Sequence, residues 1–260
     1  MKGSLTMVIL LAFVLVASLA CKGSSGTKVS STADRQAAEQ HLINGDQQVN
    51  LGNVQQAIEE YSRAIEADPN FAKAYIKRGD AHKVQKALEP AMADYDKAIK
   101  IDPSNALGYF SRGFLLADQS RNQEAIREYT KAIERDRTLV KAYIGRGRSL
   151  TATGDLDKAI ADFSAAIALD PEEVDALFLR ARAKEEKGEL DGALVDYAKA
   201  LEIDSEYAQA YLYRGLLYKK LGKPAGAVED LTTYIEIGKE LGVGAADLEI
   251  ARKALAELGR

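Results

Sequence analysis

The sequence predicts an all-α fold, an α-solenoid of stacked antiparallel helix pairs closed by a C-terminal capping helix. Three observations carry this prediction. From Ala38 through Leu241 the chain repeats itself at a 34-residue offset, six times without insertion or deletion. Every unit holds two apolar stretches spaced as one face of a helix. Small residues recur at fixed places in the unit, where closely crossing helices need them. One helix pair cannot bury its apolar faces alone, so such units stack around a continuous core.

Composition agrees with a folded chain and narrows its chemistry. Of 260 residues, 47% are hydrophobic and 28% charged, which excludes wholesale disorder. Lys plus Arg number 35 against 39 Asp plus Glu, a net charge of −4. That balance argues against nucleic acid as a partner, because phosphate binding draws on basic patches. One cysteine excludes a disulfide framework, and two histidines, His41 and His82, leave little for a metal or acid–base centre.

The elements follow in chain order. Met1 to Ala20 has one charge, Lys2, ahead of an apolar run from Leu5 to Ala20. Sixteen residues at about 1.5 Å each reach roughly 24 Å, short of the ~30 Å hydrocarbon core. Residues 1–20 therefore read as an export signal rather than a permanent span. The stretch Ala17-Ser18-Leu19-Ala20-Cys21 ends on the only cysteine of the protein. It resembles the bacterial lipoprotein signal, which implies acylation of Cys21 and cleavage before it. Ser18 departs from the aliphatic residue usual there, and ordinary secretory cleavage after Ala20, leaving a free thiol, is the alternative. Lys22 is not the Asp that retains lipoproteins at the inner membrane, so the resemblance implies an outer-membrane lipoprotein facing the periplasm. Lys22 to Ala33 is small and polar, a flexible tether with a reach of about 19 Å; the tether region, with the lipidated cysteine, is assigned to residues 21–37.

The six units span 38–71, 72–105, 106–139, 140–173, 174–207 and 208–241. The eighth place is Gly45, Gly79, Gly113, Gly147, Ala181 and Gly215, and the twentieth is alanine throughout, from Ala57 to Ala227. An aromatic column (Tyr61, Tyr95, Tyr129, Phe163, Tyr197) precedes a third small column (Ala64, Ala98, Ala132, Ala166, Ala200). Pro69, Pro103 and Pro171 each follow an Asp at the end of a unit, where proline stops a helix. In period, small columns, aromatic place and terminal Asp-Pro, the chain resembles the tetratricopeptide repeat over roughly 204 of its 260 residues. Lys86 and Ser120 depart from the inter-helix glycine, Arg137 and Ser205 from the closing proline, and Leu231 and Tyr234 from the aromatic and small columns. Residues 242–260 supply the capping helix, amphipathic through Leu248, Ala251, Leu255 and Leu258.

Two columns carry charge. Arg78, Arg112, Arg146, Arg180 and Arg214 stand at the seventh place, and Glu60, Asp94, Glu128, Asp162, Asp196 and Asp230 at the twenty-third. Both lie eight residues from the inter-helix turn, so an antiparallel pair brings them level. A ladder of structural ion pairs is expected, missing only where Asn44 faces Glu60. A catalytic site does not recur at every step of a stack, and no enzyme signature is present. Neither a catalytic residue nor a metal or cofactor site is assigned.

The resemblance implies a partner-binding concave face lined by the first helix of each pair. Carried onto this chain, the inward fifth place holds Leu42, Ile76, Phe110, Ile144, Phe178 and Leu212. Among the inward ninth places are Asp80, Phe114, Arg148, Arg182 and Leu216. An apolar stripe with charges of both signs at its edge suits an extended peptide or an amphipathic helix. Packing between repeats is the competing use of the same side chains. The expected function is a lipid-anchored scaffold binding a protein or peptide partner. A narrower alternative is an assembly factor for an outer-membrane secretin or pilus system, because exported six-repeat lipoproteins resemble the pilotin-type factors. A third is a small-ligand receptor or enzyme using the groove as its pocket.

Overall fold

The computed structural model describes residues 31–259. The expected export signal, the Cys21 lipidation site and the first part of the tether lie outside the described residues. Thirteen α-helices are described: α1 Thr32–Asn50, α2 Val54–Ala67, α3 Ala72–Val84, α4 Leu88–Ile101, α5 Ala106–Asp118, α6 Asn122–Arg135 and α7 Val140–Ala152. They continue with α8 Leu156–Leu169, α9 Val174–Lys187, α10 Leu190–Ile203, α11 Ala208–Lys220, α12 Pro224–Glu240 and α13 Ala245–Glu257. Each 34-residue unit supplies one odd-numbered and one even-numbered helix. No described residue is in a strand, and no described helix is long and apolar enough to cross a membrane.

Each pair packs internally, and its even-numbered helix packs on the odd-numbered helix that follows. Odd-numbered helices also meet one another, α3 with α5, α5 with α7, α7 with α9 and α11 with α13. Neighbours come closest on the shorter side of a curved stack, so the odd-numbered helices form its inner row.

The glycine column makes room for a ring. A Cβ built on Gly45, Gly79 or Gly147 would stand 2.4, 2.6 and 2.6 Å from ring carbons of Tyr61, Tyr95 and Phe163. With glycine there, the aromatic column sinks between the two helices of its own pair and is fully buried. In the sixth unit the bulk is redistributed, and Leu231 and Tyr234 are both buried.

The departures from the repeat pattern leave the backbone unchanged. Lys86 and Ser120 take the left-handed conformation (φ 61° and 59°) that Gly52, Gly154, Gly188 and Gly222 take in the other pairs. The unit ends bend at Asp68, Asp102, Asp136, Asp170 and Asp204 with nearly the same dihedrals whether or not proline follows. Each of these carboxylates accepts the backbone N–H two residues on, at 2.8–3.1 Å. Aspartate therefore makes the bend as a side-chain-mimicked turn, and proline only reinforces it.

The N-terminal boundary differs from expectation. Helix α1 begins at Thr32, inside the stretch assigned to the tether, on a capping box between Ser31 and Asp34. Arg35 fastens this extra turn, with its guanidinium 2.6 Å from Asp68 and 3.9 Å from the centre of the Phe71 ring. Tertiary anchoring thus extends the helix into residues whose composition reads as linker. At the other end α13 packs on α11 and α12 and buries Leu248, Ala251 and Ala254 against Leu212, Leu231 and Tyr234.

Candidate partner-binding site

The charged columns meet as the spacing predicts. Arg78–Asp94, Arg146–Asp162, Arg180–Asp196 and Arg214–Asp230 are bidentate pairs with N···O distances of 2.7–2.9 Å, and Arg112 holds Glu128 through two nitrogens. The carboxylates are buried, and Asp196 and Asp230 are each only 2% exposed. In the first unit Asn44 does face Glu60, and His41 supplies the missing rung at 2.8 Å. These bonds, His41 foremost, hold the Glu60 carboxyl below the usual carboxylate range.

Sequence reasoning missed a second use of the arginines. A further nitrogen reaches back to the preceding unit, from Arg78 to Ser62, Arg112 to Asp96, Arg146 to Thr130 and Arg180 to Ser164, at 2.7–3.1 Å. Ala198 stands at that place before Arg214 and offers no such bond. The signal was a polar column directly after the aromatic one. The ladder thus bonds the second to fifth units each to the one before it as well as within itself, and its groups are consumed by structure.

The inner row divides along its length. Leu42, Ile76, Phe178 and Leu212 are buried, so four of the six fifth-place residues expected in the stripe are spent on packing. Phe178 sits among Tyr197, Tyr207 and Tyr213 at ring distances of 5.4–5.9 Å. Phe110 and Ile144 are partly buried. At the ninth place Asp80 accepts the Tyr95 hydroxyl at 2.8 Å, Arg182 covers the Tyr213 ring at 3.8 Å and Leu216 packs into the C-terminal cluster. Phe114 and Arg148 remain exposed.

Those four less committed residues, Phe110, Phe114, Ile144 and Arg148, come together on one cavity of about 450 Å³ between α5, α7 and the start of α9. Its size lies in the range of ligand pockets, roughly 300–1,000 Å³. One wall is aromatic: Phe114, Phe110 and Tyr129 follow one another at 6.4 and 5.9 Å. Lys83 lies over the Phe114 ring at 3.8 Å. Asp118, Lys141 and Glu173 stand around the opening, and neither they nor Arg148 form an ion pair among the described residues. No group of three or more His, Cys, Asp or Glu side chains among the described residues is placed to hold a metal ion. The arrangement offers an apolar wall beside charges of both signs that form no ion pair among the described residues.

The comparisons with known proteins agree with this architecture. The family model for the ETO1 C-terminal domain matches residues 20–188. A TPR repeat model matches 181–222, and a tetratricopeptide repeat model matches 209–237. Among curated protein sequences, none matches this chain. Among solved structures, YrrB, described as a TPR protein with an unusual peptide-binding site, is 26% identical with a TM-score of 0.61, covering 75% of this chain and 97% of its own. MamA is 27% identical with a TM-score of 0.56, covering 64% and 96%. PilW, described as a widely conserved type IV pilus biogenesis factor, is 21% identical with a TM-score of 0.73, covering 82% and 97%, a likeness of fold.

Proposed function

This chain belongs to the tetratricopeptide-repeat proteins and to the family of the ETO1 C-terminal domain, and on that premise we propose that it is a lipid-anchored scaffold of the cell envelope that captures a peptide segment of another protein on its inner row. One observation carries the reading: the side chains not consumed by packing or by the ladder converge on the cavity between α5, α7 and α9. YrrB, of similar fold, is described as having an unusual peptide-binding site, which supports a peptide as the occupant here. Burial of a partner side chain against Phe110 and Phe114 supplies affinity, and the rim charges set register and association rate.

The test is crosslinked affinity capture from envelope extracts with three variants. Phe114→Asp and Arg148→Glu change exposed cavity residues and are expected to abolish capture at unchanged helicity. Lys199→Glu, at an exposed place on α10, is expected to leave it intact. Equal capture by all three defeats the assignment of the inner row.

The anchor and address belong to the same reading. Acyl chains on Cys21, each buried methylene contributing about 0.8 kcal/mol, would hold the protein at the periplasmic face of the outer membrane. Labelling with a fatty-acid analogue is expected for the natural protein and absent for Cys21→Ser; equal labelling of both removes the anchor. The narrower role in assembling a secretin or pilus rests on six repeats behind an export signal. Loss of pili in a deletion strain is its expected outcome, and normal pili count against it.

A further inference from the structure

The six units are near-copies, so each place has internal controls, and one interface breaks the pattern at several places at once. In the first two units the column tyrosine is satisfied by an acid at the ninth place, Tyr61 by Asp46 at 2.7 Å and Tyr95 by Asp80 at 2.8 Å. Lys77, at the sixth place of the second unit, closes over Asp46 at 3.1 Å. In the fifth unit Tyr197 bonds Glu185 at 2.9 Å, and Tyr213 fills the sixth place of the next unit against Phe178.

Between the third and fourth units all of this is absent. Phe114 replaces the ninth-place acid, so the Tyr129 hydroxyl makes no hydrogen bond among the described residues. Gly145 replaces the sixth-place side chain, and a Cβ there would stand 2.6 Å from the Tyr129 ring and 3.0 Å from its hydroxyl oxygen. One turn further along α7, the Ser149 hydroxyl is buried, 2% exposed as a residue, and has no hydrogen-bond partner. Tyr129, Gly145 and Ser149 all line the cavity already described. The Ser149 hydroxyl is buried and unsatisfied, a penalty that a ligand bonding it removes, and the Tyr129 hydroxyl, without a partner of its own, can share that ligand.

We propose that this cavity is a receptor for a tyrosine side chain of the partner, presented in an extended peptide between a cationic and an anionic neighbour. This deepens the scaffold reading and rests on it. The walls Phe110, Phe114 and Ile144 match an aromatic ring, which prolongs the existing aromatic series. A phenol tip both donates and accepts, so it completes Tyr129 and Ser149 together while carrying no charge into a buried place. Unpaired Asp118 and Arg148 at the opening take the flanking cation and anion. Phenylalanine fits the walls but leaves both hydroxyls unmet.

Two peptides test this on the full chain in detergent: the blocked pentapeptide alanine-lysine-tyrosine-glutamate-alanine and its phenylalanine counterpart, titrated by isothermal calorimetry. The natural protein is expected to bind the tyrosine peptide about five-fold more tightly, the worth of a hydrogen bond. Tyr129→Phe and Ser149→Ala install residues that the same places carry in other units, Phe163 at one and Ala81 and Ala183 at the other, and both are expected to fold. Each is expected to shrink the preference toward one-fold, whereas Gly145→Val, whose Cβ would push the Tyr129 ring out of its place on the cavity wall, weakens binding of both peptides. Equal affinity for the two peptides, binding of neither, or a preference that survives Tyr129→Phe and Ser149→Ala overturns the tyrosine receptor. If that occurs while Phe114→Asp still abolishes partner capture, the inner-row scaffold stands without it; if capture is also indifferent to Phe114→Asp, both fall.

Discussion

Arg146 is bonded to three things at once: both oxygens of Asp162 on its own pair and the Thr130 hydroxyl of the unit before. Asp162 is 7% exposed, so Asp162→Ala leaves a largely desolvated guanidinium with one weak acceptor. A loss of about 3 kcal/mol is expected by urea denaturation. Ser164→Ala removes the link between units from Arg180, together with the hydroxyl's bond to the Ile160 carbonyl, and is expected to cost about 1 kcal/mol, even though alanine favours the helix. Ser120 pays for a left-handed backbone that glycine adopts freely, so Ser120→Gly is expected to gain roughly 0.5–1 kcal/mol in the same assay. The ion-pair partners were legible because both columns repeat at equal distance from the turn. The backward bonds and the orphaned Ser149 were not, since they depend on how one unit sits on the next.

At the scale of elements, the spacing of apolar and small residues predicted helix pairs, and the helices lie where that spacing puts them. What it misjudged was which residue makes each bend. Proline draws the eye in three units, but aspartate with its side-chain-to-backbone bond is present at all five bends described above, and Asp136 and Asp204 turn the chain without proline. The hydrogen bonds from Thr138 hold Asp136 below the usual carboxylate range. Its contribution is present at neutral pH and is lost as pH falls through that lowered value. Arg137→Pro places the ring after an extended residue that tolerates it and is expected to raise stability by about 0.4–1 kcal/mol, read as a higher denaturation midpoint. The start of α1 was misread for a different reason: Ser-, Thr- and Ala-rich composition signals a linker, and only the distant Asp68 and Phe71 recruit Arg35 to hold it as helix.

For the whole molecule, stacking turns repetition into stability and exception into function. Each unit hides its apolar face on its neighbours, so the last pair needs α13. Ending the chain after Leu241 exposes Leu212, Leu231 and Tyr234 and is expected to lower the melting temperature and promote self-association, seen by light scattering. The inner row was legible as a face but not as a site, because whether Phe178 or Phe114 stays free depends on what Tyr213 and Gly145 do in the next unit. The most direct measurement is photo-crosslinking in living cells from a photoreactive amino acid installed at position 114, with position 199 as the control. A discrete protein adduct from position 114, absent from position 199 and removed by Arg148→Glu, is the predicted result. The same adducts from both positions, or adducts from position 199 alone, would contradict a partner seated on the inner row.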